Sequence, residues 1–333
     1  MQIGISWKIA PLVALALGLA VTAWLISAAS LSAVLDGFAK VGWGAMAVVA
    51  VRAATIATNG VAWARLLAHL TKVPIGIFML LRWMRDAIDA LLPVAGIGGG
   101  LISARTLTFW RVPGALALAS VFADLLLQTI AQVLFALVGA ALLAGLVGPN
   151  LVLLGAATGL VIAALALAGF YAAQSHGSAL LFNRAFAVLS PQLAARAQRA
   201  GPHFDAAVAQ IWYGRRRYLV DALLMHALAW TLGTLEVWIT LYFLGRPPTL
   251  EQAVIIESLG TSISIAAMFI PGSWGVQEGG YILIGHFLGV PASDALTLSL
   301  VKRIPDLTLG VPGLLIWYAL EMRRLLSRRR PAA

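Results

Sequence analysis

Cysteine is absent from the 333 residues, and charge is scarce. Without thiols the chain forms no disulfide, carries no thiolate nucleophile and offers no Cys-ligated metal site. The five histidines (His69, His176, His203, His226 and His286) fall in no HExxH or similar pairing, so no zinc site is expected. No GxSxG nucleophile elbow, Walker A loop or GxGxxG in a βαβ setting occurs, and the glycines of Gly96–Gly100 precede no Lys-Ser or Lys-Thr. The chain is expected to be no enzyme and to need no cofactor. Charged residues make up 11% of it, against about 25% in a soluble domain. That shortage excludes an ordinary soluble fold.

What fills the sequence instead is apolar. Hydrophobic residues reach 61%, with a mean hydropathy of +0.92. A membrane-crossing helix needs about 20 mostly apolar residues. The expected fold is an all-α polytopic membrane protein, because in lipid a chain must satisfy its own backbone hydrogen bonds. Six runs read as full spans: Ile9–Ala29, Trp43–Ala68, Pro113–Val147, Leu151–Ala173, Tyr218–Leu244 and Ala292–Leu320. Ile9–Ala29 is too long for the apolar part of a signal peptide and is taken as the first span. Two further apolar segments, Pro74–Trp110 and Gln252–Leu288, are interrupted in the middle.

The net charge of +10 comes from Lys and Arg clustered between apolar runs, a membrane pattern rather than a nucleic-acid footprint. One set of flanks holds Lys8, Arg65, Lys72, Arg105, Arg111, Arg184, Arg196, Arg199, Arg215, Arg216, Arg217 and the final arginines; the opposite flanks hold Lys40 and Arg246. The positive-inside rule then places both termini and the 174–217 linker in the cytoplasm, with anionic lipid as the expected partner of that face. The linker reads as an amphipathic helix on the inner leaflet. On the same bookkeeping each interrupted segment enters and leaves by one face, as a re-entrant hairpin.

The two interruptions are alike. LLPVAGIGGG (Leu91–Gly100) and FIPGSWGVQEGG (Phe269–Gly280) both place a proline, then glycines, inside an apolar run. Pro93 and Pro271 obstruct a continuing helix, and Gly96, Gly98, Gly272 and Gly275 free the backbone beyond. Broken backbone at membrane depth survives only where protein or a water-filled cavity surrounds it. The chain is therefore expected to be a single membrane domain, 1–333, with a first repeat at 41–147 and an inverted second repeat at 218–322. Substrate would be handled where the breaks meet. Glu278 is expected at a hairpin tip that meets water or a polar ligand; the alternative is a kinked helix with Glu278 at a headgroup interface.

Ionisable groups at membrane depth cost about 2.5–3.5 kcal/mol each on insertion scales and so mark partners or pathways. Arg303 and Asp306, three positions apart, could pair along a helix. Glu236 has no local cation and must be protonated, hydrated or paired with a distant arginine. Arg52 is either a headgroup contact or that partner. Gln277 and Arg105 complete the candidate substrate path of Glu278, Arg303, Asp306, Glu236 and Arg52. Arg82, Arg85, Asp86 and Asp89 are spaced to satisfy one another. Gln128 and Gln132 read as interhelical glue.

The break motifs resemble those of the flippase-like family named after the transmembrane region of lysyl-phosphatidylglycerol synthase, which shows a Leu-Pro-Gly-Gly-x-Gly pattern in each half. Leu92-Pro93 through Gly98-Gly99 and Ile270-Pro271-Gly272 through Glu278 stand in those places, and Arg105 falls where the family has an arginine. Within that family the chain is most similar to the hopanoid-biosynthesis-associated HpnL branch, on GTLEVW (Gly233–Trp238), Glu257-Ser258-Leu259, VQEGG (Val276–Gly280), SLVKR (Ser299–Arg303) and LGVPGL (Leu309–Leu314). The first break departs from the pattern, having no acidic residue after its glycines. No soluble transferase domain is expected after the last helix. The resemblance implies movement of a lipid, of the hopanoid or phospholipid class, between leaflets of a bacterial inner membrane. A non-transporting scaffold or intramembrane enzyme of hopanoid biosynthesis is the alternative, and an ion-coupled carrier of a small solute a third.

Overall fold

A computed structural model of the chain describes residues 3–92, 98–148, 191–267 and 273–329, with Gly159, Gly169 and Ile270. The expected span Leu151–Ala173 lies outside the described residues, apart from those two glycines, and so do Pro93, Gly96, Pro271 and Gly272. Every regular element among the described residues is helical. The helices are α1 (Ile3–Ala28), α2 (Leu31–Val41), α3 (Gly44–Leu67), α4 (Ile75–Leu91), α5 (Gly98–Leu107), α6 (Gly114–Val147), α7 (Pro191–Trp212) and α8 (Arg216–Phe243). They continue as α9 (Leu250–Ala266), α10 (Val276–Phe287), α11 (Ala292–Val301), α12 (Ile304–Thr308) and α13 (Gly310–Arg329).

Among the described residues three helices are long and apolar enough to cross a membrane, within α3, α6 and α8. At 24, 34 and 28 residues they exceed the roughly 30 Å of bilayer hydrocarbon at 1.5 Å rise per residue. α1 and α2 form a fourth candidate span, bent by 90° at their junction. Leu134, Leu137, Val138 and Leu146 of α6 are exposed, as lipid-facing apolar side chains should be. The chain is a multi-pass helical membrane protein.

The sixth expected span is not one helix. Ala292–Leu320 is divided into α11, α12 and the start of α13. Pro305 supplies no N–H and its ring obstructs the preceding turn, so the helix ends at Val301 and restarts at Ile304. Lys302 and Arg303 form the turn between α11 and α12.

Both interrupted segments are helix–break–helix elements that turn back. Gly280 of α10 lies against Ile263 of α9, and Gly260 against the Tyr281 ring, where an added Cβ would sit 2.9 and 3.0 Å from them. The hydroxyl of Ser273 donates to Ser264 O at 2.8 Å. Residue numbers fall on one arm as they rise on the other, so the arms are antiparallel. In the first segment Gly99 N donates to Asp89 Oδ1 at 2.9 Å, and Ser103 Oγ to Leu81 O at 3.2 Å, the same antiparallel order. α9 opens on a capping box in which Thr249 Oγ1 and Gln252 Oε1 each take the other residue's backbone N–H.

The chain divides into two compact units. The first comprises Met1–Ala57, Arg82–Gly99 and Leu232–Ala333. In it α10 packs on α9 and α11, and α2 on α11. Gly37 of α2 admits Thr297 so closely that a Cβ would lie 2.6 Å from its hydroxyl. Arg82 pairs with Asp86 at 2.9 Å along α4, as its spacing predicts. The second unit comprises Thr58–Leu81 and Gly100–Thr231. Trp63 is its buried centre, edge-on to Phe78 and donating to Ser120 Oγ at 3.0 Å. α7 packs on α6. Phe204, Ala207, Val208 and Ile211 form its buried stripe, an amphipathic helix within the expected linker.

Candidate functional site

The first unit concentrates ionisable groups where lipid would tolerate few. Glu236 projects from α8 and is 1% exposed. Its Oε2 accepts from Arg52 Nη2 of α3 at 2.8 Å and from Lys302 Nζ at 2.6 Å. Lys302 also donates to Glu257 Oε2 of α9 at 2.8 Å. Tyr281 of α10 offers its hydroxyl to the same oxygen at 3.4 Å. Gly233, one turn before Glu236, makes room: a Cβ there would lie 2.6 Å from Glu257 Oε1. Two cations and two carboxylates form a neutral cluster, the condition under which buried charge is tolerated.

A second group lies at the broken end of α10. Arg303 Nε donates to Glu278 Oε1 at 2.8 Å, and its guanidinium stacks 3.8 Å over the Trp274 ring. The other oxygen of Glu278 accepts from Gly275 N at 2.6 Å and from Thr22 Oγ1 at 3.4 Å. Glu278 occupies the first turn of α10, where the helix dipole favours an anion. Gln277 donates to Ser299 Oγ at 3.2 Å.

Several expectations change here. Glu278 is wholly buried, 0% exposed, and its partners are protein groups; it pins the tip rather than meeting water. Arg303 pairs with Glu278; no ion pair joins it to Asp306 among the described residues, although Arg303 caps α12 and Asp306 lies in its first turn. Arg52 proves to be the distant partner of Glu236. Arg105 stands exposed on α5, in the second unit.

Two groups remain open. Asp306 is half-buried and its carboxylate makes no hydrogen bond or ion pair among the described residues, while Arg52 and Arg303 lie within electrostatic reach. The Nε of Arg52 is buried without a partner among the described residues, and its side chain is 30% exposed. An unsatisfied buried donor costs about 1–3 kcal/mol.

The second unit has its own polar centre. His226, fully buried on α8, faces Asp124 Oδ1 of α6 through Nε2 at 3.0 Å and Asn59 Oδ1 of α3 through Nδ1 at 2.8 Å. Trp230 donates to the backbone O of Gln128 at 3.1 Å one turn on. Among the described residues no three His, Asp or Glu side chains converge as metal ligands.

Residues 12–313 match the family described as Lysylphosphatidylglycerol synthase TM region. The chain belongs to that family. No curated protein and no solved structure matches it. The match spans both breaks and every member of both polar groups, and the family is a membrane family with flippase-like members.

Sequence reasoning missed Tyr281, Trp274 and Thr22, and gave Glu257 and Lys302 no place in the path. Glu257 was open to the rule that singled out Glu236, a lone carboxylate in an apolar run. Trp274 and Thr22 carried no such signal. The histidine scan tested only metal spacing and so passed over His226.

Proposed function

We propose that this protein moves a polar-headed lipid between membrane leaflets. The carrying observation is the unsatisfied pair beside a compensated cluster: Arg52 with a free donor, Asp306 with a free carboxylate. A headgroup leaving water loses roughly 2–7 kcal/mol for each polar group left unpaired. A ligand bringing an acceptor to Arg52 and a donor to Asp306 would recover part of that loss and satisfy the protein as well. The neutral cluster behind Arg52 would hold it in place, so that the chain does little reorganising. Hydroxyl-rich headgroups supply both kinds of contact, in keeping with the resemblance to the HpnL branch and a hopanoid substrate.

The two antiparallel helix–break–helix elements support an inverted repeat, with tails remaining in lipid while the headgroup passes along broken backbone. The Lys and Arg distribution supports both termini in the cytoplasm, and the resemblance to the HpnL branch supports a bacterial inner membrane. The test is reconstitution into liposomes carrying a lipid with a fluorescent headgroup, followed by an impermeant quencher. Transport predicts quenching well beyond the outer-leaflet share. Arg52→Met should slow the crossing at least tenfold without lowering protein content. Quenching confined to the outer leaflet in wild-type liposomes would exclude translocation.

A further inference from the structure

Two adjoining depressions of the second unit have complementary chemistry. One is a cleft of about 340 Å³ lined by Lys72, Trp110 and Arg111. The other is a groove of about 600 Å³ lined by Leu116, Leu118 and Phe204, with Gln210 at its edge. Pro113 lines both, so they share a wall. Lys72 and Arg111 are exposed and neither pairs with a carboxylate among the described residues. Two cations thus border the same cleft.

The intervening chain is shaped for this. Trp110 ends a short 3-10 turn, and Arg111 takes a left-handed backbone, φ 62°, with its N–H donating to Thr108 O at 3.1 Å. A non-glycine residue holds that conformation at a cost, and such residues concentrate at functional sites. The turn delivers Arg111 to the cleft two residues before Pro113. On the other side of Pro113, α6 starts and runs against α7, whose Phe204 meets Phe122 edge-on at 6.1 Å.

We infer that this composite depression is a binding site for one anionic glycerophospholipid, its phosphate at Lys72 and Arg111 and one acyl chain in the groove. A bare anion would have no use for the apolar half, and a neutral apolar molecule none for the cations. Trp110 suits the boundary, since indole rings settle at headgroup level. Each basic residue near a membrane surface favours an anionic lipid by about fivefold, so two predict about a 25-fold preference over a zwitterionic lipid. The site rests on the membrane assignment alone and stands whether or not the chain moves lipid.

The experiment is native mass spectrometry of the delipidated full chain in micelles, titrated with phosphatidylglycerol, phosphatidylcholine and chain-free glycerophosphoglycerol. Expected is one phosphatidylglycerol bound about 25-fold more tightly than phosphatidylcholine, with glycerophosphoglycerol far weaker. Lys72→Gln with Arg111→Gln should bring the two lipids within about twofold of each other. Lys72→Arg with Arg111→Lys should keep the preference, which separates charge from folding. Gln210→Trp, filling the groove from an exposed position, should weaken both lipids alike. Equal binding of both lipids by the wild type, full binding of glycerophosphoglycerol alone, or a preference that survives loss of both charges would overturn the assignment.

Discussion

Removing the Lys302 ammonium tests how the neutral cluster is held. Lys302 is 4% exposed and bridges Glu236 at 2.6 Å and Glu257 at 2.8 Å. At an effective dielectric constant of about 20, each contact represents roughly 6 kcal/mol of gross attraction. Relief from burying the ammonium offsets much of this, and breaking such a bridge nets about 3–5 kcal/mol of destabilisation. The two carboxylates left behind are unequal. Glu236 keeps Arg52 at 2.8 Å, whereas among the described residues the Glu257 carboxylate keeps only the Tyr281 hydroxyl, at 3.4 Å. Lys302→Met should therefore be rescued by Glu257→Gln, recovering about 2 kcal/mol or more by removing an uncompensated buried charge. Glu236→Gln should not rescue it, since that change also strips Arg52 of its partner and leaves Glu257 charged. Unfolding in dodecyl maltoside micelles by added dodecyl sulfate, followed by the fluorescence of the 11 tryptophans, gives the four stabilities. Equal rescue by the two glutamines, or a Lys302→Met protein as stable as wild type, would refute the reasoning.

Gly275 has φ 79°, and a Cβ there would lie 2.8 Å from Val21 Cβ and 3.0 Å from Gly18 O. Gly275→Ala should cost about 1–3 kcal/mol in backbone strain plus the clash, and adding Val21→Ala should return only part of the loss in the same unfolding assay. His226→Leu removes a ring whose two nitrogens face Asp124 and Asn59. It should destabilise by about 1–3 kcal/mol per polar group left unpaired, with His226→Gln milder; thermal unfolding of the three proteins measures the order.

The long helices were legible because apolar runs set by bilayer thickness leave little choice. α3, α6 and α8 begin and end within two residues of the runs read for them. α2 was not read, since LSAVLDGFAKV is short and amphipathic between two apolar stretches. Ala292–Leu320 was misread because average hydropathy conceals VKRIPD, although Pro305 announced the break. Pairing was the least legible feature. Arg52 and Glu236 lie 184 positions apart, and no spacing rule reaches that far. For Arg303 a spacing rule pointed to Asp306, which does follow one turn on, but such a rule weighs only neighbours in the chain. Glu278, 25 positions away, takes the guanidinium instead.

The central claim is that polar matter reaches the Arg52–Asp306 opening from within the bilayer. Because the chain has no cysteine, Asp306→Cys can be probed in proteoliposomes with a charged, membrane-impermeant thiosulfonate and a lipid-soluble maleimide. Reaction with both reagents is predicted, and slower thiosulfonate reaction when transported lipid is abundant. Modification by the maleimide alone would mean a dry site and would contradict the account.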